Sequence, residues 1–155
     1  MQLEKNVGRK LISQKKTIAI AESCTGGLLS HRLTNVPGSS TYFKFGLVAY
    51  CNEAKSNLLQ VSNSAMKKFG AVSQPVAIAM AAQVRRIFDT DFGIGITGIA
   101  GPTGGSKLKP VGLTFIAVAS RNKAVVTRSI FQGNRPAVKT KATSKALKML
   151  LEFLS

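Results

Sequence analysis

The apolar residues of this chain come in strand-sized runs, and each early run stops at a polar or glycine-rich cluster. Residues 17–21 read TIAIA and end at Glu22-Ser23-Cys24-Thr25-Gly26-Gly27. Residues 43–50 alternate in character and give way to Cys51-Asn52-Glu53, while the buried-type run 92–97 breaks at a glycine-rich loop, 98–110. Residues 111–120 and 124–131 form two more runs with Arg121-Asn122-Lys123 between them, the pattern of a hairpin. A membrane span needs about 20 apolar residues, and no run approaches that length.

Between these runs the apolar period changes from two to near four. Leu3, Val7, Leu11 and Ile12 predict a helix over about 2–15, and a second is expected over about 26–35, ended by Asn35-Val36-Pro37-Gly38. Residues 52–59 read as a short helix, and Ser62 or Ser64 caps another turn that ends at Gly70. Ser73 is the expected N-cap of a helix with Pro75 in its first turn and an alanine-rich face over 77–88. A last helix runs from about 136 to 153, with Ala142, Ala146, Leu147, Leu150 and Leu151 inward. Helix–strand alternation followed by a hairpin predicts an α/β fold, a three-layer α/β/α sandwich over a mixed sheet. No repeat, linker or low-complexity tract interrupts it, so residues 1–155 are expected to form a single domain. Ligands of open α/β sheets sit at the carboxyl ends of strands, where the loops 22–27, 50–55 and 98–110 fall.

A chain of 155 residues, 45% hydrophobic and 18% charged, can bury a core without disulfide or metal staples, which excludes intrinsic disorder. The N-terminus MQLEKNVGRKLISQKK lacks an apolar signal core, so a soluble, cytoplasmic protein without a membrane partner is expected. Twenty-two Lys and Arg against six Asp and Glu give a net charge of +16, a surface that attracts phosphorylated ligands and polyanions. Most of this charge is spread along the chain as an ordinary solvated surface would have it, but Lys141, Lys145 and Lys148 share one helical face. Nucleic acid is therefore a candidate partner, though no aromatic platform for bases is visible. The single histidine, His31, and the two cysteines, Cys24 and Cys51, have no metal-ligand spacing, so neither a metal nor a cofactor is expected.

Three segments can carry chemistry. Ser23 follows a strand, and two glycines behind it open a helix, so the turn exposes a hydroxyl beside free backbone N–H groups; plain helix capping is the competing account. Cys24 is a rival nucleophile without an activating base, better read as a buried, inert thiol. Tyr50 at a strand end precedes Lys55 by five residues, and a lysine of lowered pKa can serve as the base for a serine. Spacing alone leaves an ion pair of Lys55 with Glu53 or Glu22 equally open. The loop after 97 holds Gly98, Gly101, Gly104 and Gly105, a backbone-lined approach for a phosphate, and Arg135 at the start of the last helix suits the same ligand.

The segments AESCTGGLLSHRLTNVPGSSTYF, GLVAYCNEAKSNLLQV, GAVSQPVAIAMA and TGIAGPTGGSKLKPVGLTFIAVA, in that order over roughly 17–135, resemble the C-terminal domain family of the competence/damage-inducible protein CinA. Standalone members of that family are nicotinamide-nucleotide amidases. The resemblance implies hydrolysis of nicotinamide mononucleotide to nicotinate mononucleotide and ammonia, a salvage step in pyridine-nucleotide cycling. It assigns Ser23 as nucleophile with Lys55 and Tyr50 as the proton-accepting pair. Backbone N–H groups near Cys24, Thr25, Gly26 and Gly27 are then expected to hold the oxyanion. Gly98, Gly101, Gly104, Gly105 and Arg135 are expected to hold the ribose phosphate. Thr103 stands where the family usually has Asp or Gly, and Cys51 where it commonly has Ser; neither touches that chemistry. Larger members carry an additional N-terminal domain to which nothing in these residues corresponds. Members are commonly dimeric, and a homodimer is expected through a hydrophobic hairpin edge. The alternative is a basic nucleotide- or nucleic-acid-binding module whose amidase residues are vestigial.

Overall fold

The computed structural model describes residues 2–155. In chain order the elements are α1 (Gln2–Ser13), β1 (Ile18–Glu22), α2 (Leu28–Thr34), a 3-10 turn at Ser39–Thr41, β2 (Phe43–Val48), α3 (Asn52–Leu59), α4 (Asn63–Phe69), α5 (Gln74–Ile87), β3 (Phe92–Gly98), β4 (Leu113–Ala119), β5 (Ala124–Ile130) and α6 (Arg135–Phe153). The strands lie in the order β2-β1-β3-β4-β5. β1 runs parallel to both β2 and β3, and β4 and β5 return antiparallel as the expected hairpin. The fold is the predicted α/β sandwich over a mixed sheet.

Two apolar layers hold the helices to the sheet. On one face Val7 and Leu11 of α1, Leu29 and Leu33 of α2, and Leu147 and Leu150 of α6 pack on Ile20, Ile94 and Ile116. On the other, Leu59 of α3, Met66 of α4 and Met80 and Val84 of α5 cover Ala19 and Ala21. The approach of α5 to β3 is set by missing side chains: a Cβ at Gly93 would stand 2.0 Å from the Ala81 carbonyl oxygen, and one at Gly95 2.4 Å from that of Ala77. Both glycines are thus required for α5 to lie on the sheet.

Local chemistry explains most element ends. Ser62 caps α4, its Oγ accepting from the Ala65 amide at 3.3 Å, and Gly70 closes the helix. Ser73 sits at the N-cap of α5, but its hydroxyl donates to the Gly70 carbonyl at 2.8 Å instead of accepting from the helix. The expected helix over 26–35 begins only at Leu28, because Gly26 and Gly27 are left-handed, with φ of 61° and 93°. β1, β2 and β3 all end on the same side of the sheet, so Ser23, the 49–55 corner and the loop after Gly98 meet there.

Candidate active site

Ser23 continues β1 for one residue, its amide donating to the Ile96 carbonyl of β3 at 3.0 Å. The side chain is therefore fixed by sheet geometry at the carboxyl end of the strand. Lys55 reaches it from α3, whose N-cap is Cys51. Its stem is buried, with 2% of the residue exposed. The ammonium nitrogen ends 3.0 Å from Ser23 Oγ, 3.0 Å from the Ala49 carbonyl and 3.3 Å from the Tyr50 carbonyl.

This environment lacks a counter-charge. Lys55 has no carboxylate partner among the described residues. Burial lowers its pKa from the ordinary lysine value, since an ammonium gains less from neutral oxygens than from water. A neutral amine fits the three contacts closely: two N–H bonds for the two carbonyls and a lone pair for the serine hydroxyl. After it takes the serine proton, the same nitrogen has three N–H bonds for the same three oxygens. The arrangement thus accepts both protonation states without moving.

The ion pairs weighed from spacing are not formed. Glu53 is exposed, and Glu22, fully buried, turns its carboxylate onto α2. Oε2 accepts from the Leu29 amide at 3.0 Å, and Oε1 accepts from the Ser30 amide at 2.9 Å and the Ser30 hydroxyl at 2.8 Å. α2 has Gly27 at its N-cap and no capping side chain of its own there, so Glu22 supplies the missing acceptor. Sequence reasoning passed over this residue as a cap. The available signal was a strand ending in glutamate ahead of a helix without a Ser, Thr, Asp or Asn cap.

A cavity of about 270 Å³ opens over the pair, lined by Ser23, Lys55, Tyr50, Asn52, Thr97 and the glycine-rich loop. Of the residues expected to bind substrate, Cys24, Gly98, Gly101, Gly104 and Arg135 line it. Thr25, Gly26, Gly27 and Gly105 do not. The left-handed glycines swing the chain away from the cavity toward α2, Thr25 is fully buried, and a Cβ on Gly105 would meet the Val111 amide at 2.7 Å. The amides at the start of α2 are also spent on Glu22, and that of Gly26 on the Ser23 carbonyl at 3.1 Å. Of that turn only Cys24 lines the cavity beside Ser23. Its thiol is buried, and that burial pushes its pKa up to about 12.

Tyr50 also differs from expectation. It is its backbone carbonyl that touches Lys55, while the phenol, 58% exposed with the rest of the residue, accepts from Arg135 Nη2 at 2.7 Å. Arg135 Nη1 donates to the Gly101 carbonyl at 2.7 Å. Arg135 thereby ties the start of α6, the glycine-rich loop and the 49–55 corner into one rim. Lys109 pins the far end of the loop, donating to the carbonyls of Phe69 at 2.6 Å and Val72 at 2.8 Å. A larger cleft, about 560 Å³, lies near Lys16, Arg85 and Asp91; its one buried hydroxyl, that of Thr90, donates to the Phe92 carbonyl at 2.8 Å.

The fold and this site define an α/β protein with a desolvated serine–lysine pair at the carboxyl ends of its parallel strands. Residues 1–154 match the family described as the CinA C-terminal domain. The chain is 48% identical over 152 residues to a CinA-like protein of Koribacter versatilis, spanning 98% of this chain and 37% of that protein. It thus spans little more than a third of the length of the curated relatives it matches. Among solved structures it superposes on the competence/damage inducible protein CihA from Agrobacterium tumefaciens with a TM-score of 0.97 at 34% identity, covering 99% of this chain and 94% of that one. The competence or damage-inducible protein from Enterobacter asburiae gives a TM-score of 0.96 at 34% identity, covering 99% and 97%. The chain belongs to the CinA C-terminal domain family.

Proposed function

We propose that this protein is an amidohydrolase that deamidates nicotinamide mononucleotide to nicotinate mononucleotide and ammonia. The observation that carries the reading is the 3.0 Å contact between Lys55 Nζ and Ser23 Oγ inside a cavity with no carboxylate to hold the ammonium. Neutral Lys55 takes the Ser23 proton as Oγ bonds to the amide carbon, and the proton passes on to the departing nitrogen, which leaves as ammonia. Water then attacks the acyl-enzyme, Lys55 again accepting a proton, and Ser23 is restored as nicotinate mononucleotide departs. Cys24 and the loop at 98–104 supply the backbone that faces the developing oxyanion and the phosphate, with Arg135 at the rim as the phosphate's cation.

A vestigial site fits the geometry poorly. A lysine buried among neutral oxygens costs stability, so nothing structural favours keeping it without a chemical task. The test is ammonia release from nicotinamide mononucleotide by the purified protein. Release is expected from the native chain and not from Ser23→Ala. Undiminished release by Ser23→Ala would overturn the serine mechanism.

A further inference from the structure

The helical layer formed by α1, α2 and α6 carries +7 of the net +16, more than the +4 of the helices on the opposite face. Its three helices hold nine Lys and Arg but only two carboxylates, Glu4 and Glu152. Glu4 is engaged by Arg32 at 2.6 Å, and although burial opposes its charge, hydrogen bonds, that of Arg32 among them, bring its carboxyl down to about 2. Glu152 is the other acid of the layer and stands exposed at the far end of α6. On the opposite face of the sheet, α3, α4 and α5 hold five Lys and Arg, of which one is the buried Lys55.

All of these nine cations but Arg32 lie on two neighbouring helices, α1 and α6. α1 lies alongside α6: Lys10 Nζ donates to Ser155 Oγ at 3.0 Å and Gln14 Nε2 to the Leu154 carbonyl at 2.7 Å. Nearer the start of α1, Arg32 joins Glu4 to Thr143 and Ser144 at 2.7 and 2.9 Å. Lys5 and Arg9, one helical turn apart on α1, and Lys141, Lys145 and Lys148 on α6 thus belong to two neighbouring helices, the last three about 4.5–6 Å apart along the axis, with Lys141 Nζ donating to the Gln132 carbonyl. None of these five has a carboxylate partner among the described residues.

The chemistry of the face narrows its partner. Of the exposed large apolar residues, only Ile12 lies on α1, α2 or α6. A bilayer-bound helix needs an apolar flank to insert, and a protein interface needs apolar anchors at its centre; neither is present. Single strands are held by stacking on aromatic rings, and no exposed aromatic belongs to this layer. A duplex instead offers about one phosphate charge per 1.7 Å of axis and can be held by cations alone. We propose that the α1/α6 face binds the phosphate backbone of a nucleic-acid duplex without reading its bases. The site is separate from Ser23 and Lys55, at whose cavity none of these cations lies.

Binding of a fluorescent duplex of about 30 base pairs is measured as salt rises from roughly 50 to 200 mM. Affinity in the micromolar range, falling steeply with salt, is expected. The combined change Lys141→Glu, Lys145→Glu and Lys148→Glu should weaken it at least ~10-fold and reduce the salt slope by about 3, near 0.9 for each phosphate no longer neutralised. Lys67→Glu, Lys68→Glu and Arg86→Glu together remove the same charge from the opposite face and should weaken binding less than ~3-fold. Lys5→Glu with Arg9→Glu tests the face independently of α6 and should weaken binding in the same direction. Ammonia release from nicotinamide mononucleotide should be unchanged in the α6 variant, so this proposal and the amidase reading fail separately. Equal weakening by both triple changes, no binding at ~50 mM salt, or tighter binding to single strands or acidic lipid vesicles than to the duplex overturns the proposal.

Discussion

Two lysines stand at opposite ends of the same sheet, and their surroundings make them different reagents. Lys16, just before β1, is 43% exposed in its side chain and lies 2.9 Å from Asp91 Oδ1. Lys55, at the other end, is buried against two carbonyls and a hydroxyl with no carboxylate. The first is a charge held by a charge. The second is a charge deprived of both water and partner, which is how a lysine becomes a base. The lesson is that the missing carboxylate at Lys55 matters as much as the serine that is present.

The largest effect should follow from removing the base. Lys55→Ala is expected to lower ammonia release at least ~10³-fold, and Lys55→Arg should do no better, because a guanidinium does not give up its proton. In the native protein, release should climb with pH along a limb whose midpoint lies below the ordinary lysine value of about 10.4. The same shift acts on stability with a definite sign. Between the folded and unfolded values the folded chain binds fewer protons at this site, so its contribution to stability rises with pH across that window. A pH–rate curve without a limb below ~10 would break the comparison.

A gentler change gives Lys55 what Lys16 already has. Cys24 lines the same cavity as Lys55, so Cys24→Asp places a carboxylate near the amine. The lysine should then hold its proton, moving the alkaline limb up by ~1–3 pH units and lowering release near pH 7 by ~10–100-fold. Cys24→Ser keeps the site neutral and should leave the limb where it is. If both variants lose activity equally with no movement of the limb, the electrostatic contrast between the two lysines is wrong.

How far the sequence revealed this site depends on what each residue bonds to. The strands and helices were legible because their apolar periods are strong, and shared strand ends placed Ser23 and the 50–55 corner on one side of the sheet, but spacing left the partner of Lys55 open until the resemblance paired it with Ser23. Glu22 was not legible as a cap, since a glutamate six residues ahead of a helix can reach it only once two left-handed glycines have folded the turn back. The same glycines removed Thr25, Gly26 and Gly27 from the cavity. Tyr50 was placed beside Lys55 as a proton acceptor by the family resemblance, while its phenol accepts from Arg135, 85 positions later. Long-range side-chain partners of this kind leave no local trace. Glu22→Ala strands three donors in a buried place and is expected to cost about 2–4 kcal/mol in denaturant unfolding, with Glu22→Gln costing less. A loss below ~0.5 kcal/mol for Glu22→Ala would remove the capping role.

The smallest effects belong to the paired lysine, and they separate two parts of its carboxylate's work. Asp91 accepts from Lys16 Nζ at 2.9 Å, from the Thr17 amide at 2.9 Å and from the Thr17 hydroxyl at 3.1 Å. Burial works to raise its pKa, but these hydrogen bonds outweigh it and hold the carboxyl below the ordinary aspartate value. A depressed carboxyl contributes stability that is complete above the unfolded value, near 3.9, and fades as pH falls through the folded one. Asp91→Ala should therefore cost about 1–2 kcal/mol at pH 7, and the gap from the native chain should close below pH ~4. Lys16→Ala removes only a half-exposed ion pair and should cost no more than ~0.5–1 kcal/mol, less at high salt. The Thr17 hydrogen bonds survive that change, so most of the acid-sensitive stability should survive with them. If Lys16→Ala instead matches Asp91→Ala at pH 7, the ion pair and not the backbone hydrogen bond fastens the start of β1 to β3, and the two lysines differ in stability as well as in chemistry.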